Sequence, residues 1–178
     1  MRTLIPLAAT AAGILMLGIA PPATAAVTGG TPATITVQGG ALSITVPADA
    51  GNLGTRPNSV LGGTISGALG QVQVDDARSA AAGSGWVATV IATAFTPQLG
   101  GPTVAASAVS YTAGLITKVG TATYTANDPG NLTGVSPAIT ATGITGDNSA
   151  TWNPTINVAV PGGMAAGIYG ATITHSVA

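Results

Sequence analysis

Few residues in this chain have side chains suited to chemistry, and they are scattered. His175 is the only histidine, and it lies close to the end of the chain. A nucleophilic triad needs such a base beside a nucleophile and oriented by a carboxylate. Serines and threonines abound, but no nucleophile-elbow motif accompanies them. The absence of cysteine removes thiolate nucleophiles, disulfides and thiolate metal sites. One histidine without an Asp-rich loop matches neither zinc nor calcium ligation. No catalytic residue, cofactor or metal is therefore assigned, and the expectation is a protein without enzymatic activity.

The densest polar cluster is in "VQVDDARSAAAGSGW", where Asp75, Asp76 and Arg78 precede a Gly-rich stretch and Trp86. A carboxylate two residues from a guanidinium can hold it bidentately. Asp76 and Arg78 read as a structural ion pair at a turn; the functional alternative is a contact for a charged ligand. Exposed pairs are common and contribute little, which favours the structural reading. Asn127-Asp128 and Asp147-Asn148, beside Gly or Pro, read as turn residues.

Charged residues make up only 5% of the 178-residue chain, against roughly 25% in ordinary soluble domains. There is no Glu, and the basic residues are Arg2, Arg56, Arg78 and Lys118. No basic stripe exists to neutralise phosphates, so nucleic acid is excluded as a partner. Residues 1–26 have the layout of a secretory signal peptide. Arg2 supplies a positive start, Leu4 to Ala20 an apolar core, and Ala23-Thr24-Ala25-Ala26 a small-residue cleavage site. The mature protein is expected to begin at Ala26 or Val27. No later apolar run reaches spanning length, so no membrane span is expected after cleavage. The protein reads as secreted.

Those chemical groups must be positioned by strands, because residues 27–178 carry period-2 patterns. "ATITVQGGALSITVP" alternates through Ile35 and Val37, turns at Gly39-Gly40, and alternates again through Leu42, Ile44 and Val46, which reads as a hairpin. "GQVQVDD" follows the same pattern. "WVATVIATAF" puts Trp86, Ala88, Val90, Ala92 and Ala94 on one face and Val87, Ile91 and Phe95 on the other, as a central strand would. Further strands are read in "AVSYTA", "TATYTA", "AITATGI", "TINVAVP" and "IYGATITHSV". Ser79 to Ala82 is the one helix-friendly stretch, and it is at most one turn long. Short strands punctuated by Gly, Pro, Asn and Asp indicate an all-β fold, a single antiparallel Ig-like β-sandwich. Trp86, among small neighbours, reads as a core plug. The alternative places it at the sandwich rim as a binding residue.

At these residues the chain resembles the WxL-domain surface proteins. "LGQVQVDDARSAAAGSGWVATVIATAF" is similar to the family's first block, in which an Asp-x-Arg turn and a Gly-rich loop lead to a Trp that opens a strand. "VAVPGGMAAGIYGATITHSVA" resembles its closing hairpin. "GGALSITVP" fits its opening one. The likeness spans nearly all of residues 27–178. It implies export and non-covalent attachment to the Gram-positive cell wall, with peptidoglycan or another wall polymer as partner and other surface proteins as further candidates. Two positions depart from the pattern. Trp86-Val87-Ala88 has Ala in the Leu place, and His175 stands in the Trp place of the terminal motif. Trp86, His175 and Trp152 are accordingly the candidate wall-contact residues, and protonation of His175 near about 6.5 would make contact pH-dependent. Two other readings remain open. A secreted carbohydrate-binding module would use exposed aromatics such as Trp152, Tyr111 or Tyr124. A polymerising fibre or matrix subunit would use the Thr-rich strand edges.

Overall fold

The computed structural model describes residues 31–178, so the expected signal peptide lies outside the described residues. The chain divides after Thr36, and the fold below is that of Val37–Ala178. It is all-β and antiparallel, with one 3-10 turn at Ala106–Ala108. The expected β-sandwich character is therefore met.

The main sheet contains β1 (Leu42–Thr45), β3 (Val72–Ala92), β6 (Ile116–Ala126), β7 (Ser136–Trp152) and β10 (Ile173–Val177). Its order is β1-β3-β7-β6, with β10 pairing the same edge of β3 further along. A smaller sheet has β2 (Gly63–Ala68), β8 (Thr155–Val160) and β5 (Val109–Thr112) in the order β2-β8-β5. Two short strands, β4 (Thr96–Pro97) and β9 (Tyr169–Gly170), pair on their own.

Strict alternation explains β3. Val72, Val74 and Asp76 are buried in its first half, and Trp86, Ala88, Val90 and Ala92 in its second. Between them the ladder with β7 breaks register at Asp76/Ala80, Ala80/Ser84 and Ser84/Trp86. The ladder of β6 with β7 slips at the same level, between Val119 and Thr123. Such bulges insert unpaired residues and bend a sheet.

Here the bend is large. Trp86 pairs with Ala141, and in a straight strand Ala141 and Asn148 would stand roughly 23 Å apart at about 3.3 Å per residue. Yet the Trp86 indole donates to the Asn148 side chain at 3.0 Å. The main sheet is creased at its bulges and closes over itself, with the small sheet completing one core. That core joins Val72, Val74, Trp86, Val90, Ile139, Ile144 and Trp152 of the creased sheet to Val109, Tyr111, Ile156 and Val158 of the small one. Fully burying each Val or Ile stabilises the fold by about 1.5–3 kcal/mol relative to exposure.

Several expectations are corrected. The Ala33–Pro47 hairpin is not formed: only Leu42–Thr45 is a strand, and Ile35 and Val37 are 91% and 84% exposed. The closing hairpin of Val158–Ala178 is not formed either: β8 pairs with β2 and β5, and β10 with β3 in the other sheet. Ser79 to Ala82 is not helical but lies inside β3, with Ser79 at a φ of 54°. Val72–Asp76 of "GQVQVDD" and Trp86–Ala92 of "WVATVIATAF" belong to one continuous strand, because bulges absorb the Gly-rich stretch that reads as a loop; Thr93–Phe95 lie beyond its end. Asp147-Asn148 is not a turn but part of β7, and Asn148 is buried. Asn127-Asp128 does lie in a connection, where Asp128 adopts a φ of 43° and accepts the Ala113 backbone N–H at 2.8 Å.

Candidate functional site

Two polar clusters cross the creased sheet, and between them they hold nearly every chemically notable residue. The first starts from the two-residue spacing of Asp76 and Arg78, which puts both side chains on one face of β3. Asp76 Oδ1 accepts from Arg78 Nε at 2.8 Å and from the Arg78 backbone N–H at 3.2 Å. Its Oδ2 accepts from Arg78 Nη2 at 2.9 Å and from Asn148 Nδ2 at 3.2 Å. The Arg78 guanidinium holds the Asp76 carboxyl below the usual carboxylate range, against the burial that opposes ionisation. This corrects the expectation of a weak exposed pair at a turn: both residues lie inside β3, the Asp76 side chain is fully buried, and only Arg78 reaches water.

Asn148 completes the cluster. Its Oδ1 accepts from Trp86 Nε1 at 3.0 Å and from the Tyr124 hydroxyl at 3.1 Å. The Trp86 and Tyr124 rings meet at 5.6 Å between centroids, tilted by 52°. One carboxamide thus joins residues of β3, β6 and β7 across the crease. Two glycines make the approach possible. A Cβ at Gly85 would stand 2.7 Å from Ala141 O. Gly120 has a φ of 86°, and a Cβ there would stand 2.6 Å from Asp147 O and 3.1 Å from Asn148 Cα.

In the second cluster, Trp152 Nε1 donates to the Tyr111 hydroxyl at 2.6 Å, and His175 Nε2 lies 3.2 Å from the same oxygen. An indole N–H can only donate. Tyr111 accepts from Trp152, and the direction of its bond to His175 Nε2 follows the imidazole tautomer: a neutral ring with its hydrogen on Nδ1 accepts the Tyr111 proton there. Burial pushes His175 down to about 4 and raises the Tyr111 hydroxyl well above its ordinary value. The expectation that His175 titrates near 6.5 is corrected accordingly. The cluster ties β10, the end of β7 and β5 of the small sheet together.

The candidate wall-contact residues are thus placed inside the fold. Trp86 and Trp152 are each 2% exposed, and His175 is half-buried with Nε2 turned to Tyr111. Neither indole presents a ring face to a polymer. The exposed-aromatic alternative is corrected for Trp152 and Tyr111, since Tyr111 is 1% exposed; Tyr124 is half-buried against Trp86. The sequence reading missed Asn148, Tyr124 and Tyr111 as hubs. The signal for Asn148 was its parity with Ala150 and Trp152, which puts it on the apolar face of β7.

The surface hollows are shallow. One is lined by Asp75, Asp76, Asp147 and Asn148 with their neighbours. Its carboxylates are engaged: Asp75 accepts from Gln73 Nε2 at 2.8 Å, and Asp147 accepts the Ser79 backbone N–H at 2.9 Å. Another opens between β4 and β9 around Thr96, Gln98 and Thr172. Among the described residues, no group of three or more His, Cys, Asp or Glu side chains is arranged to hold a metal ion, and no buried side-chain polar atom lacks a partner. What this arrangement does chemically is lock three strands and two sheets in place. No family model, curated protein or solved structure matches the chain.

Proposed function

We propose that this protein is a secreted, non-catalytic β-sandwich module of the cell envelope, of the WxL kind, holding to a wall polymer without a covalent bond. The observation that carries the non-catalytic part is the use of its titratable interior. Asp76 and His175, the groups best suited to proton transfer, are bonded into clusters that close the fold. An acid–base catalyst must be within hydrogen-bond reach of a bound substrate, and these two face other side chains instead. Export is supported by the layout of residues 1–26, and the envelope by the resemblance of the sequences "VQVDDARSAAAGSGW" and "VAVPGGMAAGIYGATITHSVA" to WxL blocks.

With both tryptophans buried, the surface offered to a wall polymer is the exposed, Thr-rich outside of the sheets. Few charges stand on it, so attachment is expected to resist salt, because screening acts on charge pairs. The test is co-sedimentation of the purified protein with purified peptidoglycan sacculi at low and high salt. Pelleting that persists in high salt supports the reading. If the protein stays in the supernatant from pH 5 to 8, wall attachment is wrong.

A further inference from the structure

We infer that copies of this protein assemble head to tail, the segment Ala33–Gln38 of one copy adding a strand to the open β6 edge of the next. The inference starts from the hairpin that failed to form. "ATITVQ" alternates as a strand does, with Ile35 and Val37 on one side, is uncharged, and is rich in β-branched residues favoured in strands. Nevertheless every residue from Thr31 to Ala41 is exposed, and no residue from Ala33 to Gln38 lies in a strand. Among the described residues no ladder takes up its backbone donors and acceptors.

An acceptor exists on the other side of the main sheet. β6 is the last strand in the order β1-β3-β7-β6, and among the described residues its outer edge pairs with nothing. It runs from Ile116 to Ala126. Natural edges of this length are usually protected by charges, prolines or a covering element. β6 has no proline and a single charge, Lys118, and the bulges between Val119 and Thr123 leave Ile116–Val119 and Thr123–Ala126 as its two regular stretches. Val119, on its exposed side, is 67% exposed and gains an apolar neighbour when Ile35 or Val37 lies beside it.

Chain geometry decides that the donor comes from another copy. Gly40 and Ala41 bond to Ala77 on the β1 side of β3, and a Cβ at Gly39 would stand 3.4 Å from Arg78 O. A strand beyond β6 is four strand spacings from there, roughly 19 Å at about 4.8 Å each. Gln38 is only one residue from Gly39, about 3.8 Å. The segment therefore cannot run along its own β6. Donor and acceptor occupy opposite edges of one sheet, which makes the contact heterologous, and such a contact propagates as an open chain unless its rotation closes a ring. Strand addition of this kind draws affinity from main-chain hydrogen bonds and specificity from alternate side chains. The inference does not depend on wall attachment.

Sedimentation velocity over a concentration series tests it. The wild type is expected to gain mass several-fold as concentration rises. The double variant Ile35→Lys, Val37→Lys and the single variant Val119→Lys should each remain monomeric while melting like the wild type, because all three side chains are exposed. A synthetic peptide of residues 33–38, added in excess, should cap β6 and shorten the wild-type assemblies. A wild type that stays monomeric at every concentration overturns the inference. So does assembly that the Ile35 and Val37 substitutions leave unchanged. Sacculus binding by the monomeric double variant would show wall attachment and assembly to be separate properties.

Discussion

At the scale of single residues, Asn148 is the most consequential side chain. It donates to a buried carboxylate and accepts from an indole and a phenol, so each truncation around it strands a different partner. Asn148→Ala leaves the Trp86 N–H without an acceptor, and an unsatisfied buried polar group costs about 1–3 kcal/mol. Trp86→Ala removes both the indole and its hydrogen bond. Its cavity is bordered by small residues such as Ala141 directly across the ladder, which cannot move in to fill it. The expected loss is about 3–5 kcal/mol. Trp86→Phe keeps most of the volume and should cost less than Trp86→Ala, by an amount a urea titration of all three proteins resolves. A Trp86→Ala loss below about 1 kcal/mol, the range of surface substitutions, would contradict the core role described above.

At the scale of elements, the crease in β3, β6 and β7 is what lets each of the two clusters close, and it depends on glycines. Gly85→Ala would drive a methyl against the Ala141 carbonyl, and Gly120→Ala would meet the Asp147 carbonyl while forcing a side chain to a φ of 86°. Gly83 also has a positive φ, of 87°, but a Cβ there meets nothing within 4 Å. Gly83→Ala therefore isolates the conformational cost, on the order of 1 kcal/mol, while Gly120→Ala adds a backbone clash. Thermal melts should rank Gly120→Ala as clearly more damaging than Gly83→Ala; equal losses would mean that the crease yields freely.

The strands themselves were legible because period-2 alternation is local: Val72, Val74, Trp86, Ala88 and Val90 announce their face without reference to anything distant. The crease was not legible, because "ARSAAAGSG" carries helix, turn and loop propensities at once and its state is set by pairing with β7. For the same reason Asn148 read as a turn residue. Its role follows from side chains on β3 and β6 that only the folded sheet brings near, and Tyr111 and His175 likewise meet only once the small sheet packs.

At the scale of the whole molecule, the low charge changes how acid should unfold it. With Arg56, Arg78, Lys118 and His175 all protonated and the carboxyls neutral, the side chains of residues 27–178 carry at most four positive charges. General repulsion, the usual driver at low pH, is therefore weak, and the two polar clusters govern the response. His175 is held at about 4 in the fold, below its ordinary 6.5, so the unfolded chain takes up the proton first as pH falls. The stability tied to neutral His175 is complete above about 6.5 and drains away between 6.5 and 4. At about 1.4 kcal/mol per pH unit this amounts to roughly 3 kcal/mol. Protonation would also make Nε2 a donor, so that Tyr111 accepts from both Trp152 and His175. Asp76 is depressed instead, so its contribution persists until pH drops below its ordinary value of about 3.9 and then fades. Urea titrations from pH 7.5 to 3 should show two successive losses. His175→Gln, whose side-chain oxygen can accept from Tyr111, should flatten the upper one and spare the lower. Added salt should leave the upper loss almost unchanged, since its origin is the desolvation of one half-buried ring rather than repulsion among surface charges. A single salt-sensitive transition, the same in the wild type and in His175→Gln, would remove His175 from the account and return acid unfolding to net charge.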